Sequence, residues 1–310
     1  MSSTFTSCDH VEFAFPPTIE LDTNLYTDGN WADYVENEWP DFDTISADPL
    51  RNAIIEDFTG HNCTGCPAAA VVAHGLHEAN PSRVYVASIH AGADVDGVTD
   101  FQALNIPLGY TVDFMNSQGT GIGGHFFGIP NSGFFGNPAG SVNRLLIDPE
   151  YFYASGNWSG KVDEVTASTL KVALKAHVNY YDASKGFYLH TEVEKLDGSL
   201  TYDNLGMVAY MIEDSLVAPQ LDAGTFVPDY VHRDIMRGTL SGQVLGRDII
   251  SGTFDEANDK YYLDYSYVVP DQLAPQGQPT TYNVANMHLL VYVYDKTTLE
   301  IYQVIKKDIE

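Results

Sequence analysis

Ala53-Ile54-Ile55-Glu56-Asp57-Phe58-Thr59-Gly60-His61-Asn62-Cys63-Thr64-Gly65-Cys66-Pro67-Ala68-Ala69-Ala70-Val71-Val72-Ala73 is the stretch that decides the fold. It holds two of the chain's three cysteines, separated by Thr64 and Gly65. Ala53 to Phe58 predicts a short buried strand and Thr59 to Asn62 a turn. Cys66 to Asn80 predicts a helix, with Pro67 in its first turn and Pro81 stopping it. Val84 to Ile89 predicts a second strand that ends at His90. A strand, a helix and a strand with no hairpin turn between them imply parallel strands joined by a right-handed crossover.

This placement bears on the chemistry of the thiols. A nucleophilic cysteine must be partly thiolate at neutral pH, and a helix N-terminus supplies that through its unpaired N–H groups and its dipole. Cys63 lies just before the helix and is the candidate attacking thiol; Cys66, inside the first turn and more buried, is the candidate resolving thiol. Asp57 stands in the strand leading to the pair. A buried carboxyl there has its pKa raised and suits proton relay to and from the resolving thiol. Glu56 and Asp57 point to opposite faces, so one of them is expected to be an ordinary surface acid.

Other chemistries of the same residues are weaker. The cysteine pair has the spacing of half a zinc knuckle, but Cys8 is distant and has no partner cysteine. His74 and His77 lie about 12 Å and 16 Å further along the helix from Cys66, too far to share an ion with the cysteines. As a staple, a two-residue spacing closes too small a loop to stabilise much. Gly119-Thr120-Gly121-Ile122-Gly123-Gly124 spells a dinucleotide fingerprint without a strong strand before it or a helix pattern opening at its end. Asp94, Asp96 and Asp100 around Gly97 hint at a calcium loop that lacks its closing glutamate. No metal and no cofactor are assigned.

At 310 residues two domains are expected. Residues 9–47 are acidic and aromatic and predict an arm that packs through Trp31, Tyr34, Trp39 and Phe42. Residues 91–137 are glycine-rich and predict an irregular insertion with one helix around Asp100 to Met115. A third strand is expected from Gly140 to Leu146 and a short helix over Trp158 to Ala167. From Thr169 on, alternating runs recur at 170–178, 187–193, 205–212, 261–269, 289–294 and 301–305. Period-two alternation over many strands argues an antiparallel sandwich.

The net charge of −27 argues against nucleic acid and anionic membrane surfaces, because nothing basic is clustered to neutralise phosphates. No apolar run is long enough to span a bilayer, and Met1 to Ser7 is no signal peptide. Cys8, within Thr6-Ser7-Cys8-Asp9, reads either as the lipidated cysteine of a lipoprotein whose signal has been removed or as an incidental thiol.

Asp57-Phe58, four residues, then Cys63-Thr64-Gly65-Cys66 resembles the active-site strand and loop of the thioredoxin superfamily, with Asn62 where tryptophan is usual. The wider phrase Glu56 to Pro67, strand-His90, and Pro138-Ala139-Gly140-Ser141-Val142-Asn143-Arg144 resembles the outer-membrane-protein-28-related family of Gram-negative bacteria. Those motifs cover roughly residues 50 to 146, and Tyr230-Val231-His232-Arg233, Arg237-Gly238 and the closing strands fit more loosely. The resemblance implies an N-terminal arm (1–47), a thioredoxin-like domain (48–167, with the insertion at about 91–137) and an immunoglobulin-like β-sandwich (168–310). It also implies a cis-proline facing the dithiol, with Pro138 preferred over Pro130. The expected function is extracytoplasmic, periplasmic or outer-membrane-associated, thiol–disulfide exchange with protein substrates through Cys63, Cys66, Asp57 and Pro138. The alternative is a non-enzymatic surface lipoprotein that binds an unidentified partner and in which the cysteine pair is a local disulfide.

Overall fold

A computed structural model describes residues 20–91, 99–270, 272–273 and 280–309. The aromatic arm is anchored by helix α1 (Trp31–Asn37), whose start is fixed by a reciprocal capping box between Asn30 and Asp33. Tyr34 is fully buried with Leu25, Tyr181 and Tyr188, and Trp31 stacks on it at 4.8 Å.

Strand β1 (Ala53–Phe58), helix α2 (Cys66–Ala79) and strand β2 (Val84–Ile89) form the expected parallel unit, in register from Ala53 with Val84 to Phe58 with Ile89. The insertion departs from expectation. Asp100 to Met115 holds only short 3₁₀ turns, and the helix is α3 (Ser117–Phe127), built on the glycine-rich run itself. Asn116 caps it by accepting from Gly119 N at 2.8 Å. Ile122 and Phe126, one turn apart, supply its buried stripe. Gly121 must be small, since a Cβ there would lie 2.4 Å from Val244 Cγ2. Packing thus overrides the poor helix propensity of glycine.

Strand β3 (Ala139–Val142) runs antiparallel to β1 and stops earlier than Leu146, because Asn143 and Arg144 turn left-handed, at φ 48° and 56°. Helix α4 (Trp158–Ala167) covers it, and Trp158 lies so close that a Cβ on Gly140 would sit 2.2 Å from its ring. Alternate residues of β1 and β2 pack on α2 and α4: Ala53, Ile55, Val84 and Val86 meet Ala69, Ala73, Val162 and Val165.

The remainder is β-rich: β4 (Val172–Tyr181), β5 (Gly186–Lys195), β6 (Leu205–Glu213), β7 (Leu216–Asp222), β8 (Thr225–His232), β9 (Ile235–Thr239), β10 (Arg247–Asp248), β11 (Thr253–Asp255), β12 (Lys260–Val268), β13 (Gln272–Leu273), β14 (Thr280–Thr281), β15 (Met287–Asp295) and β16 (Ile301–Asp308). An eight-stranded mixed sheet runs β16-β15-β6-β9-β2-β1-β3, with β10 on β6. It crosses residue 168, so strands from both halves of the chain share one sheet. The junction is narrow: β9 meets β2 in parallel through Ser88 and Ile235, and Ser88 N donates to Asp234 O at 2.8 Å.

A four-stranded sheet, β11-β12-β5-β4, packs on the β6-β15-β16 end and closes a sandwich. The alternation in β6 and β15 separates two cores rather than core from water. Met207, Ala209, Met211, Leu289, Val291 and Val293 face the sandwich, while Val208, Tyr210, Ile212, Leu290 and Tyr292 face β1 and α3. The β7–β8 hairpin lies outside both sheets.

A buried ion pair of the first half is caged by two tyrosines of the second. Arg144 grips Glu56 with two bonds of 2.8 Å, Tyr210 Oη donates to Glu56 Oε1 at 2.7 Å, and Arg144 Nη2 donates to Tyr292 Oη at 2.7 Å. Both charged side chains are buried, and the pair is bidentate and hydrogen-bonded, the geometry a buried pair needs to offset desolvation. Asn143 adds backbone ties: its Oδ1 accepts from Ile54 N at 2.8 Å, and its Nδ2 donates to Asn52 O and Ile301 O.

Candidate functional site

Thr59 to Gly65 form the loop between β1 and α2, and Cys66 opens the helix. Cys63 and Cys66 are joined in a disulfide. Both are buried, at 2% and 1% exposure, so Cys63 is not the open thiol that its position suggests. What covers the loop is the β7–β8 hairpin. Leu221 N donates to His61 O at 2.8 Å and Ala223 N to Thr64 O at 3.0 Å. Gln220 Nε2 reaches Gly60 O and Cys63 O, each at 3.2 Å. On the other flank Asn62 N donates to Phe101 O, Asn62 Nδ2 to Ala103 O, and Gln102 Nε2 to Thr59 O. The loop carbonyls are thus satisfied by segments remote in sequence, as buried backbone requires.

Asp57 is fully buried, and so is Glu56, which corrects the expectation that one of them is a surface acid. The reason is that they serve opposite faces. Glu56 turns toward Arg144, while Asp57 shares its face with Ala53 and Ile55, on the α2 side. Neither oxygen of Asp57 has a hydrogen-bond partner, and burial pushes its carboxyl up to about 7. Its register neighbours are Ser88 in β2 and Gly140 in β3.

The Asn137–Pro138 peptide is cis, as is Asp148–Pro149. Pro138 faces the cysteine loop: a Cβ on Gly65 would lie 3.5 Å from Pro138 Cδ. Asn137 Nδ2 donates to Thr59 O at 2.8 Å and holds the two loops together. Pro130 stands apart, after α3.

A cavity of about 280 Å³ opens beside the disulfide, lined by Cys66, Ser88, His90 and His232. His90 Nδ1 is bonded to Gln102 Oε1 at 2.9 Å, and burial followed by the nearby His232 holds it well below the usual histidine range. Burial takes His232 down to about 4. The carbonyls of Ala218 and Pro219 lie beside its ring, while its buried Nε2 has no hydrogen-bond partner. The sequence singles out Cys63, Cys66, Asp57 and Pro138, and these converge on one loop. It gives no chemistry to Ser88, Gln220 or His232. For His232 the only signal is the phrase Tyr230 to Arg233, Gln220 has none, and both reach the loop solely through tertiary contacts.

Other candidates fall elsewhere. His77 Nδ1 is bonded to Val84 O at 2.6 Å, and His74 pairs with Glu78 at 3.1 Å. Among the described residues no three metal-binding side chains are grouped. Among the described residues no helix is long and apolar enough to cross a membrane. Cys8, Asp94 and Asp96 lie outside the described residues.

A family model described as Outer membrane protein Omp28 matches residues 130–310. The chain belongs to the Omp28 family. The match takes in Pro138, the hairpin and the sandwich, and starts beyond Asp57, Cys63 and Cys66. The family is therefore carried by the β-rich part, whereas the sequence motifs that resemble it lie mostly before residue 146. Among solved structures, HBP35 of Porphyromonas gingivalis aligns at a TM-score of 0.58 and 15% identity, over 85% of this chain and 77% of that one. At that identity the likeness speaks for the fold alone. A domain of the outer membrane lipoprotein Omp28 from Porphyromonas gingivalis aligns at 0.30 and 19% identity, over 45% of this chain and 88% of the domain. No curated protein matches the chain.

Proposed function

We propose that this is an extracytoplasmic, outer-membrane-associated member of the Omp28 family whose Cys63–Cys66 pair carries out thiol–disulfide exchange. On this reading residues 48–167 are a thioredoxin-like unit and residues 168–310 an immunoglobulin-like one, fused through a common sheet. Asp57 is the observation that carries the redox reading. An unpartnered buried carboxyl destabilises a fold, and here it stands at the end of the strand that delivers the disulfide to a helix N-terminus.

Exchange breaks the Sγ–Sγ bond when an incoming thiolate attacks one sulfur and the other leaves as a thiolate. The leaving sulfur needs a proton. A carboxyl poised at about 7 holds one about half the time at neutral pH and takes it back in reverse. Pro138 and Asn137 hold the facing loop against the disulfide. A redox titration tests this, with thiols alkylated after acid quenching and denaturation. Reversible interconversion by thioredoxin-strength reagents is expected; a pair that is not reduced by them sinks the reading.

The burial of both cysteines favours a second reading, a local lock in a surface binding protein anchored through a lipidated Cys8. A Cys63→Ser, Cys66→Ser double variant separates them: unchanged partner binding and cell phenotype favour the lock.

A further inference from the structure

The two sulfurs are buried to the same degree but face different surroundings. Cys63 lies under the hairpin, where Gln220 bonds its carbonyl. Cys66 lines the cavity, and Cys63 is not among its walls. The cavity reaches solvent past Val71, which is 72% exposed, and Val231, which is 41% exposed. At about 280 Å³ it falls just short of typical small-molecule sites, which run from about 300 to 1,000 Å³. A space of this size suits a small molecule.

The cavity also holds an unpartnered ring nitrogen. His232 Nε2 is buried without a hydrogen-bond partner, and His232 lines the same cavity as Cys66. Such a group is free to hydrogen-bond an incoming thiol.

Resting on the thiol–disulfide reading above, we propose that Cys66 is the sulfur that exchanges and that its partners are low-molecular-weight thiols and disulfides, admitted through this cavity. A small thiol R–SH hydrogen-bonds to His232 Nε2, and its sulfur attacks Cys66 Sγ. The R–S–Sγ bond forms, the Sγ–Sγ bond breaks, and Cys63 leaves as a thiolate that receives the proton lost by R–SH. A second R–SH attacks the sulfur of the bound R group and releases R–S–S–R and the thiol of Cys66. In sum two small thiols are oxidised and the protein disulfide is reduced. This order reverses the roles expected from the sequence, where Cys63 attacks and Cys66 resolves.

The test uses 2-hydroxyethyl disulfide on the native Cys63→Ser and Cys66→Ser variants, with the adduct followed by mass spectrometry. The free Cys66 of Cys63→Ser is expected to form its mixed disulfide at least ten-fold faster than the free Cys63 of Cys66→Ser. Adding Val71→Trp to Cys63→Ser, at an exposed helix position, is expected to slow the reaction at least ten-fold by blocking the mouth. Faster labelling of Cys63, or a rate indifferent to Val71→Trp, overturns the proposal. Peptide mapping of the acid-quenched wild-type chain during reduction by 2-mercaptoethanol needs no variant: the adduct is expected on Cys66, and one on Cys63 overturns the proposal. Labelling order is independent of whether the wild-type pair cycles, so failure here and failure of the redox titration are separate results.

Discussion

Asp57→Asn isolates the buried carboxyl, since asparagine fills nearly the same space and does not ionise. In the folded chain Asp57 keeps its proton up to about pH 7, whereas an ordinary aspartate loses it near 3.8. Stability from this group is therefore intact below pH 3.8 and is lost as pH rises through 7. Above that, the folded state carries an unpartnered buried carboxylate. The gap from 3.8 to about 7 amounts to about 4 kcal/mol, at about 1.4 kcal/mol per pH unit. Asp57→Asn is expected to match the wild type at pH 4, apart from a constant offset for its amide, and to be more stable by about 4 kcal/mol at pH 8. Urea unfolding followed by circular dichroism at several pH values measures this. With an m-value of about 3 kcal/mol/M, the midpoint difference grows by more than about 1 M across the range. A difference that stays flat with pH refutes the raised carboxyl and removes the proton relay with it.

Three further outcomes follow from the packing. Arg144→Met leaves the buried Glu56 carboxyl with only tyrosine for company, and is expected to cost about 3–5 kcal/mol at pH 7 in urea unfolding. Gly140→Ala forces a methyl into the Trp158 ring, which is expected to cost about 1–3 kcal/mol and lower the melting temperature. His288 is held neutral by burial down to about pH 4, against about 6.5 when unfolded, so the stability it contributes, about 3 kcal/mol, is present above pH 6.5 and lost as pH falls toward 4. His288→Gln is expected to flatten the stability–pH slope in that interval, read from denaturation midpoints at pH 4.5 and 7.

The sequence reveals elements whose signals are local. β1, α2 and β2 are announced by an apolar run, a proline-led helix and a second apolar run, and α4 by the short run from Trp158; these stand within a residue or two of their expected bounds. Non-local determinants are silent. α3 is written in glycines whose purpose appears only when Val244 arrives beside Gly121. Pro219 and Pro228 disguise the two strands of the hairpin, which pair only with each other and reach the cysteine loop through Gln220, Leu221 and Ala223. Glu56 reads as a surface acid until Arg144, Tyr210 and Tyr292 surround it. The cysteine pair and Asp57 are legible because strand, turn and helix lie consecutively, while the lid over them belongs to residues more than 150 positions away.

The insertion of β9 beside β2 also governs the order in which the molecule comes into being. As the chain is synthesised, β1, α2 and β2 exist long before Ile235 can take its place next to Ser88. Glu56 and Arg144 meet early, but the tyrosine hydroxyls that complete their cage arrive only with residues 210 and 292. A nascent chain stalled after α4 therefore holds a half-built sheet, an open ion pair and a disulfide loop with no hairpin above it. For that interval the cysteines are as reachable as they will ever be, and the hairpin that later bonds to the loop is what restricts access to them in the finished molecule.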